Sequence, residues 1–146
     1  MKISKEGLDL IKKFEGFRPN PYNDIAGYPT IGYGHKIVAG EVYEVIEEPE
    51  AVALLEKDCS WAVTIINTSV TTILDQHQFD ALCSFTYNVG AHTFATSTLL
   101  KRINEEKFGE AANEFLKWCY AGGKRSEGLY KRRQSEREYF LIGKPL

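Results

Sequence analysis

Two carboxylates and a hydroxyl fall close together near the start of the chain: Glu15, then Asp24 nine residues on, then Thr30 six beyond that. General acid and base chemistry needs two carboxyl groups in unequal surroundings, one kept protonated by an apolar setting and one kept ionised by hydrogen bonds and solvent. Glu15, beside Phe14 and Phe17, suits the first role, and Asp24, in a polar loop, suits the second. Spacing alone does not single out this pair, because the chain holds twenty acidic residues.

The elements that must position these groups follow from periodicity. Leu8, Leu10, Ile11 and Phe14 recur at helical spacing from Ser4 onward and Gly16 is a stop signal, so a first helix should end near Glu15. Residues 18–46 are punctuated by Pro19, Pro21, Gly27, Pro29, Gly32, Gly34 and Gly40, which predicts a small twisted β-hairpin region with strands at Thr30–Tyr33 and Val42–Ile46. Pro49 behind Glu47 and Glu48 predicts a second helix over about 49–66, its apolar side holding Val52, Leu55, Cys59 and Val63. Asp75 and Gln78 have capping-box spacing ahead of a third helix that carries Phe79, Leu82, Cys83 and Thr86 and stops at Gly90. Further helices are expected at about 97–106, 109–119 and 127–141, with a break at Ala121-Gly122-Gly123.

The expected fold is α+β: a small N-terminal β-hairpin lobe and a mainly helical C-terminal lobe, with a ligand cleft between them. Residues 1–146 are read as a single domain of two lobes, roughly 15–60 and 1–14 with 61–146. At 146 residues with 43% hydrophobic and 26% charged content, such a domain can bury a core without metals or disulfides, and disordered or low-complexity classes are excluded.

Charge is unevenly laid out around a net of −2: residues 41–60 hold seven acids against Lys57, whereas residues 101–146 hold eleven Lys or Arg against seven acids. A basic C-terminal region would attract a polyanion, or it is simply a solvated helix face. Three cysteines, Cys59, Cys83 and Cys119, fit neither a disulfide framework nor a CxxC metal site, and reduced, buried thiols are expected. His35, His77 and His92 lack ligand spacing such as HExxH, so neither metal nor cofactor is expected. No zinc pattern, RNP aromatic pair or phosphate-cradling loop points to nucleic acid. Charges at Lys2, Lys5, Glu6 and Asp9 interrupt the apolar stretch that a signal peptide needs, so no leader, anchor or stable membrane insertion is expected.

The run Phe14-Glu15-Gly16-Phe17-Arg18, then Tyr22-Asn23-Asp24, Gly27 and Thr30-Ile31-Gly32-Tyr33-Gly34-His35, closely resembles the phage-type lysozymes or endolysins of glycoside hydrolase family 24, whose signature is E-x8-D-x5-T. The resemblance continues through Tyr87-Asn88-Val89-Gly90, Ser97-Thr98-Leu99-Leu100, Trp118 and Gly128-Leu129-Tyr130-Lys131-Arg132-Arg133 with Glu136.

That resemblance implies hydrolysis of the β-1,4 bond between N-acetylmuramic acid and N-acetylglucosamine in peptidoglycan, for host-cell lysis at the end of phage infection. Glu15 would be the general acid. Asp24 would stabilise an oxocarbenium-like transition state or orient the attacking water, and Thr30 would help hold that water. Family members have been read as inverting. The alternatives are a lytic transglycosylase on the same bond, against which Asp24 argues, and a non-catalytic wall-binding module. The resemblance further implies a monomer that accumulates in the host bacterial cytoplasm and reaches the wall only after a membrane-permeabilising holin acts.

Other residues carry two readings. Gly32 and Gly34 serve positive φ or close backbone approach, or a sugar lies against their bare backbone. Tyr87 and Asn88 either face substrate or act as core and helix cap. By resemblance His35 would pair with Asp58 and pin the hairpin to the second helix. Arg132 with Glu136 reads as an i, i+4 surface pair or as steering charge, and Trp61 and Trp118 read as core or, as the second reading, sugar platforms.

Overall fold

Lys5–Glu15 form α1, and Leu8, Leu10 and Ile11 supply its buried side. Ser4 opens the helix by accepting the Gly7 N–H on its hydroxyl at 3.1 Å. Gly16, at φ 72°, closes it, with its N–H on the Lys12 carbonyl at 3.1 Å. The computed structural model describes residues 1–143. The last three residues of the expected 1–146 domain lie outside that range.

The backbone divides into two compact units, Ile11–Ser60 on the one hand and Met1–Leu10 with the chain from Trp61 onward on the other. In the first, β1 (Arg18–Asn23), β2 (Pro29–Gly32) and β3 (His35–Lys36) make an antiparallel sheet in the order β1-β2-β3. Register pairs Tyr22 with Thr30, Asn23 with Pro29, and Thr30 with Lys36, and β1 bulges between Arg18 and Tyr22. Pro19 and Pro21 sit in that bulge, where their missing N–H groups cost the ladder nothing. The expected strand at Val42–Ile46 does not form. Its one tie to β1 is the Ile46 N–H on the Pro19 carbonyl at 3.0 Å, and Val42 and Val45 are exposed, so the apolar run buries only Ile46.

The single helix expected over 49–66 is two, α2 (Glu48–Asp58) and α3 (Ser60–Ser69). Cys59 separates them: at φ −89° and ψ 4° it leaves the helical region, and its N–H turns back to the Leu55 and Lys57 carbonyls. Of the apolar side expected there, Leu55 and Cys59 are buried, whereas Val52 and Val63 are half-buried.

In the second unit α4 (Gln76–Val89) opens with the anticipated capping box of Asp75 and Gln78 and ends at Gly90. All eight residues from Phe79 to Thr86 are buried, so α4 is enclosed on every face rather than on one. Around it lie α5 (Ala91–Ala95), which periodicity did not indicate, α6 (Thr98–Asn104), α7 (Phe108–Glu114) with a 3₁₀ turn at Phe115–Lys117, and α8 (Glu127–Ile142). The glycine break is a hairpin: β4 (Tyr120–Ala121) pairs with β5 (Lys124–Arg125), and Gly122 and Gly123 take positive φ between them. Phe85 anchors the aromatic core, with ring centroids 5.3 Å from Phe115 and 6.5 Å from Phe94. Among the described residues no helix is long and apolar enough to cross a membrane.

Candidate functional site

Glu15, Asp24, Thr30 and Gly32 all belong to the Ile11–Ser60 unit. Glu15 is the last residue of α1, half-buried, and its Oε2 lies 3.4 Å from where a side chain on Gly34 would begin. That is ordinary van der Waals contact, and it is the φ of 84° at Gly34 that makes the turn beside this carboxylate suit glycine.

Asp24 sits in the β1–β2 turn. Its backbone N–H reaches the Tyr28 carbonyl at 2.9 Å, the Asp24 carbonyl accepts the Gly27 N–H at 2.9 Å, and the Asp24 Oδ1 accepts the Tyr28 N–H at 2.8 Å. A side chain bonded to its own turn in this way is held in one direction, as short polar residues commonly are in turns. Thr30 is buried on β2 and donates its hydroxyl proton to the Tyr28 carbonyl at 2.8 Å. Tyr28 therefore holds both neighbours, its N–H on Asp24 and its carbonyl on Thr30. Sequence reasoning did not single it out, because its part is played by the backbone.

Gly32 is buried at φ 67°, and a Cβ there would stand 3.2 Å from Ala51 Cβ and 3.3 Å from Ile46 Cδ1. Its bareness lets β2 approach α2. The Tyr33 hydroxyl donates to Glu48 at 3.2 Å, and Lys12 reaches the same carboxylate at 2.6 Å, tying α1 to α2. Burial raises the Tyr33 phenol above its ordinary value.

His35 pairs with Asp58, Nδ1 to Oδ2 at 2.7 Å, and its Nε2 also meets Glu41 at 3.1 Å. Burial alone would lower this imidazole's pKa, but the bonds to Asp58 and Glu41 outweigh it and the net shift is upward. The Val38 N–H and the Tyr43 hydroxyl, with His35, hold the Glu41 carboxyl down at about 2, and Glu41 in turn pushes Tyr43 up to about 12.

Tyr87 and Asn88 lie at the end of α4, in the second unit and on the fourth helix rather than the third. Tyr87 is half-buried with its ring 6.2 Å from that of Trp61, and exposed Asn88 accepts from Arg133 Nη2 at 2.8 Å. Trp61 and Trp118 are not core: each leaves more than a third of its surface in solvent, 39% and 37%. Trp118 lines a pocket of about 510 Å³ together with Asn88, Thr93, Tyr120, Leu129 and Arg133.

The pair read as surface support is interior. Arg132, Arg133 and Glu136 are buried, with Arg132 Nε 3.2 Å from Glu136 Oε2 and Arg133 Nε 2.7 Å from Oε1, the latter an ion contact too bent to count as a hydrogen bond. Charges this deep steer nothing from solution. The reason is the partner offered by α4, where Ser84 Oγ donates to Glu136 Oε2 at 2.6 Å. Cys59, Cys83 and Cys119 are buried and form no disulfide, and burial pushes the Cys59 thiol up to about 11. Among the described residues no group of three or more His, Cys, Asp or Glu is disposed to hold a metal ion.

The sequence model of the phage lysozyme family matches residues 12–136. The endolysin of Bacillus phage B103 is 46% identical over 98% of this chain, which spans 55% of that relative's length. The endolysin of Acyrthosiphon pisum secondary endosymbiont phage 1 is 42% identical over 96% of this chain and 98% of its own. Among solved structures, the endolysin from Escherichia coli O157:H7 phage FAHEc1 superposes with a TM-score of 0.91 at 35% identity, covering 100% of this chain and 97% of that one. A match from α1 into α8, with relatives this similar along nearly the whole sequence, settles the kinship: the chain belongs to the phage lysozyme family.

Proposed function

We propose that the chain is a peptidoglycan hydrolase for host lysis, a glycoside hydrolase acting on the β-1,4 bond between N-acetylmuramic acid and N-acetylglucosamine. Family membership carries the coarser statement, and the E-x8-D-x5-T residues carry the finer one. Glu15 donates a proton to the leaving glycosidic oxygen. Asp24, its direction fixed by the Tyr28 N–H, stabilises the developing positive charge or orients the attacking water. Thr30 has its own proton committed to the Tyr28 carbonyl, so its oxygen is left to accept a hydrogen bond from that water. Inversion requires the carboxyl groups to stand about 6.5–9.5 Å apart, with room for water between them.

Within the helical unit, the partly exposed rings of Tyr87 and Trp61 and the amide of Asn88 offer the apolar face and amide hydrogen bonding that an N-acetylated sugar needs. The same reading makes the protein a monomer released to the wall from the host cytoplasm by a holin.

The test is turbidity loss of purified peptidoglycan with wild type and Glu15→Gln, both checked by circular dichroism. Clearing by wild type and none by the folded variant supports the assignment, and equal clearing removes Glu15 from the role. Mass spectrometry of the product separates hydrolysis from 1,6-anhydro ring closure by one water, and NMR of the first product decides inversion against retention.

A further inference from the structure

Three cations of the Ile11–Ser60 unit lie over tyrosine rings: Lys12 over Tyr33 at 5.5 Å, Arg18 over Tyr22 at 4.1 Å and Lys36 over Tyr28 at 4.7 Å. Lys12 is also neutralised by Glu48. Arg18 and Lys36 make no ion pair among the described residues, although their unit holds nine acids against five Lys or Arg. Both are exposed. A charge kept out of reach of abundant opposite charges, yet fixed in direction by a ring, is free to meet an anion brought from outside.

Register and ring contact together put the two cations on one face. Tyr22, Thr30 and Lys36 are direct cross-strand partners, and Arg18 pairs with Gly32, two residues along β2 from Thr30. Partners across a ladder point to the same side, so Tyr22, Thr30 and Lys36 share a face, and Arg18, beyond the β1 bulge and opposite Gly32 at φ 67°, is placed there by its contact with the Tyr22 ring at 4.1 Å. Arg18 on Tyr22 and Lys36 on Tyr28 thus flank Thr30, with the outer strands separated by two strand spacings, about 10 Å.

We propose that Arg18 and Lys36 form a carboxylate-binding pair that makes the chain prefer peptidoglycan whose stem peptides carry free carboxylates. This rests on the proposed function and adds a specificity element to it. Charge complementarity chooses the ligand: the glycan itself is neutral, and the peptides hung on it bring the anions. Teichoic-acid phosphate is the competing source of the same kind of charge.

The experiment is co-sedimentation of the full chain with insoluble peptidoglycan in three forms: native, stripped of phosphate polymers, and stripped with its carboxylates converted to neutral methylamides. Wild type should bind the stripped native wall several-fold more tightly than the amidated one. Arg18→Gln/Lys36→Gln should bring that ratio close to one, while Lys101→Gln/Lys131→Gln, which removes equal charge from other exposed sites, should retain it. The proposal is overturned if wild type binds both walls alike, if the Arg18/Lys36 variant keeps the preference, if the Lys101/Lys131 variant loses it equally, or if only phosphate removal weakens binding. Sedimentation needs no turnover, so loss of the carboxylate preference and absence of sugar cleavage are read separately.

Discussion

His35 Nδ1 stands 2.7 Å from Asp58 Oδ2, so a two-residue strand is fastened to the last residue of α2 by one imidazole. The imidazole's pKa is raised in the folded state, so this contribution is fully present below the ordinary value near 6.5 and is lost as pH rises through the raised one. Glu41, held at about 2, works in the opposite sense: its share is present above its ordinary 4.5 and is lost as pH falls towards 2. The unit should be most stable between about 4.5 and 6.5. His35→Asn should cost about 1–3 kcal/mol at pH 5.5 and less at pH 8.5, as measured by urea unfolding at both, with weak hydrolysis retained.

Glu136 answers two buried guanidiniums and a serine hydroxyl. Desolvation already pulls Arg133 below its ordinary pKa, and removing the carboxylate leaves both cations without their counter-charge. Glu136→Gln, nearly isosteric, should lose about 3–5 kcal/mol. Urea titration is the check, and a loss under 1 kcal/mol would mean that α8 does not depend on this pair.

Gly7 lies inside α1, where alanine is ordinarily favoured by about 1 kcal/mol. Here a Cβ would stand 2.6 Å from Asp80 Cγ. Asp80 cannot retreat, because its carboxylate is buried, accepts the Ser4 N–H at 3.0 Å and the Gln76 amide at 2.8 Å, and is also bound by the Ser4 hydroxyl. Gly7→Ala should therefore destabilise, by about 1–3 kcal/mol, and calorimetry should show a lower Tm.

Gly34→Ala places a methyl 3.4 Å from Glu15 Oε2 at a φ of 84°. That distance is ordinary van der Waals contact, so the effect comes from the backbone. Relief of the positive φ shifts the turn beside the proposed general acid, and such misplacement is expensive in rate, so hydrolysis should fall on the order of tenfold or more. The backbone strain should cost only about 1–2 kcal/mol in stability. Parallel turbidity and unfolding assays separate the two effects.

Much of this was legible in the residue string. Gly16, the Asp75/Gln78 box and Gly90 bound their helices because caps are local chemistry that no distant contact overrides. Glu15, Asp24 and Thr30 were singled out by family likeness rather than by spacing; Glu15 ends α1 and Thr30 lies on β2, as periodicity indicated, whereas Asp24 sits in the turn between β1 and β2. The break at Cys59 was not legible, since nothing at that point forbids helix and the kink is made by the backbone alone. Val42–Ile46 failed for the opposite reason: its pattern suited a strand, but pairing requires an edge, and β1 gives it one hydrogen bond. Arg132 and Glu136 misled because charge reads as surface until a buried partner such as Ser84 is known.

The enclosure of α4 sets the order in which the second unit can come apart. A helix buried from Phe79 to Thr86 exchanges its amide hydrogens only when its neighbours have left, so its slowest amides report the whole unit's opening. The short β4–β5 hairpin, all of whose paired residues are exposed, opens on its own account long before that. The slowest opening of the second unit is thus written in the solvent accessibility of one helix.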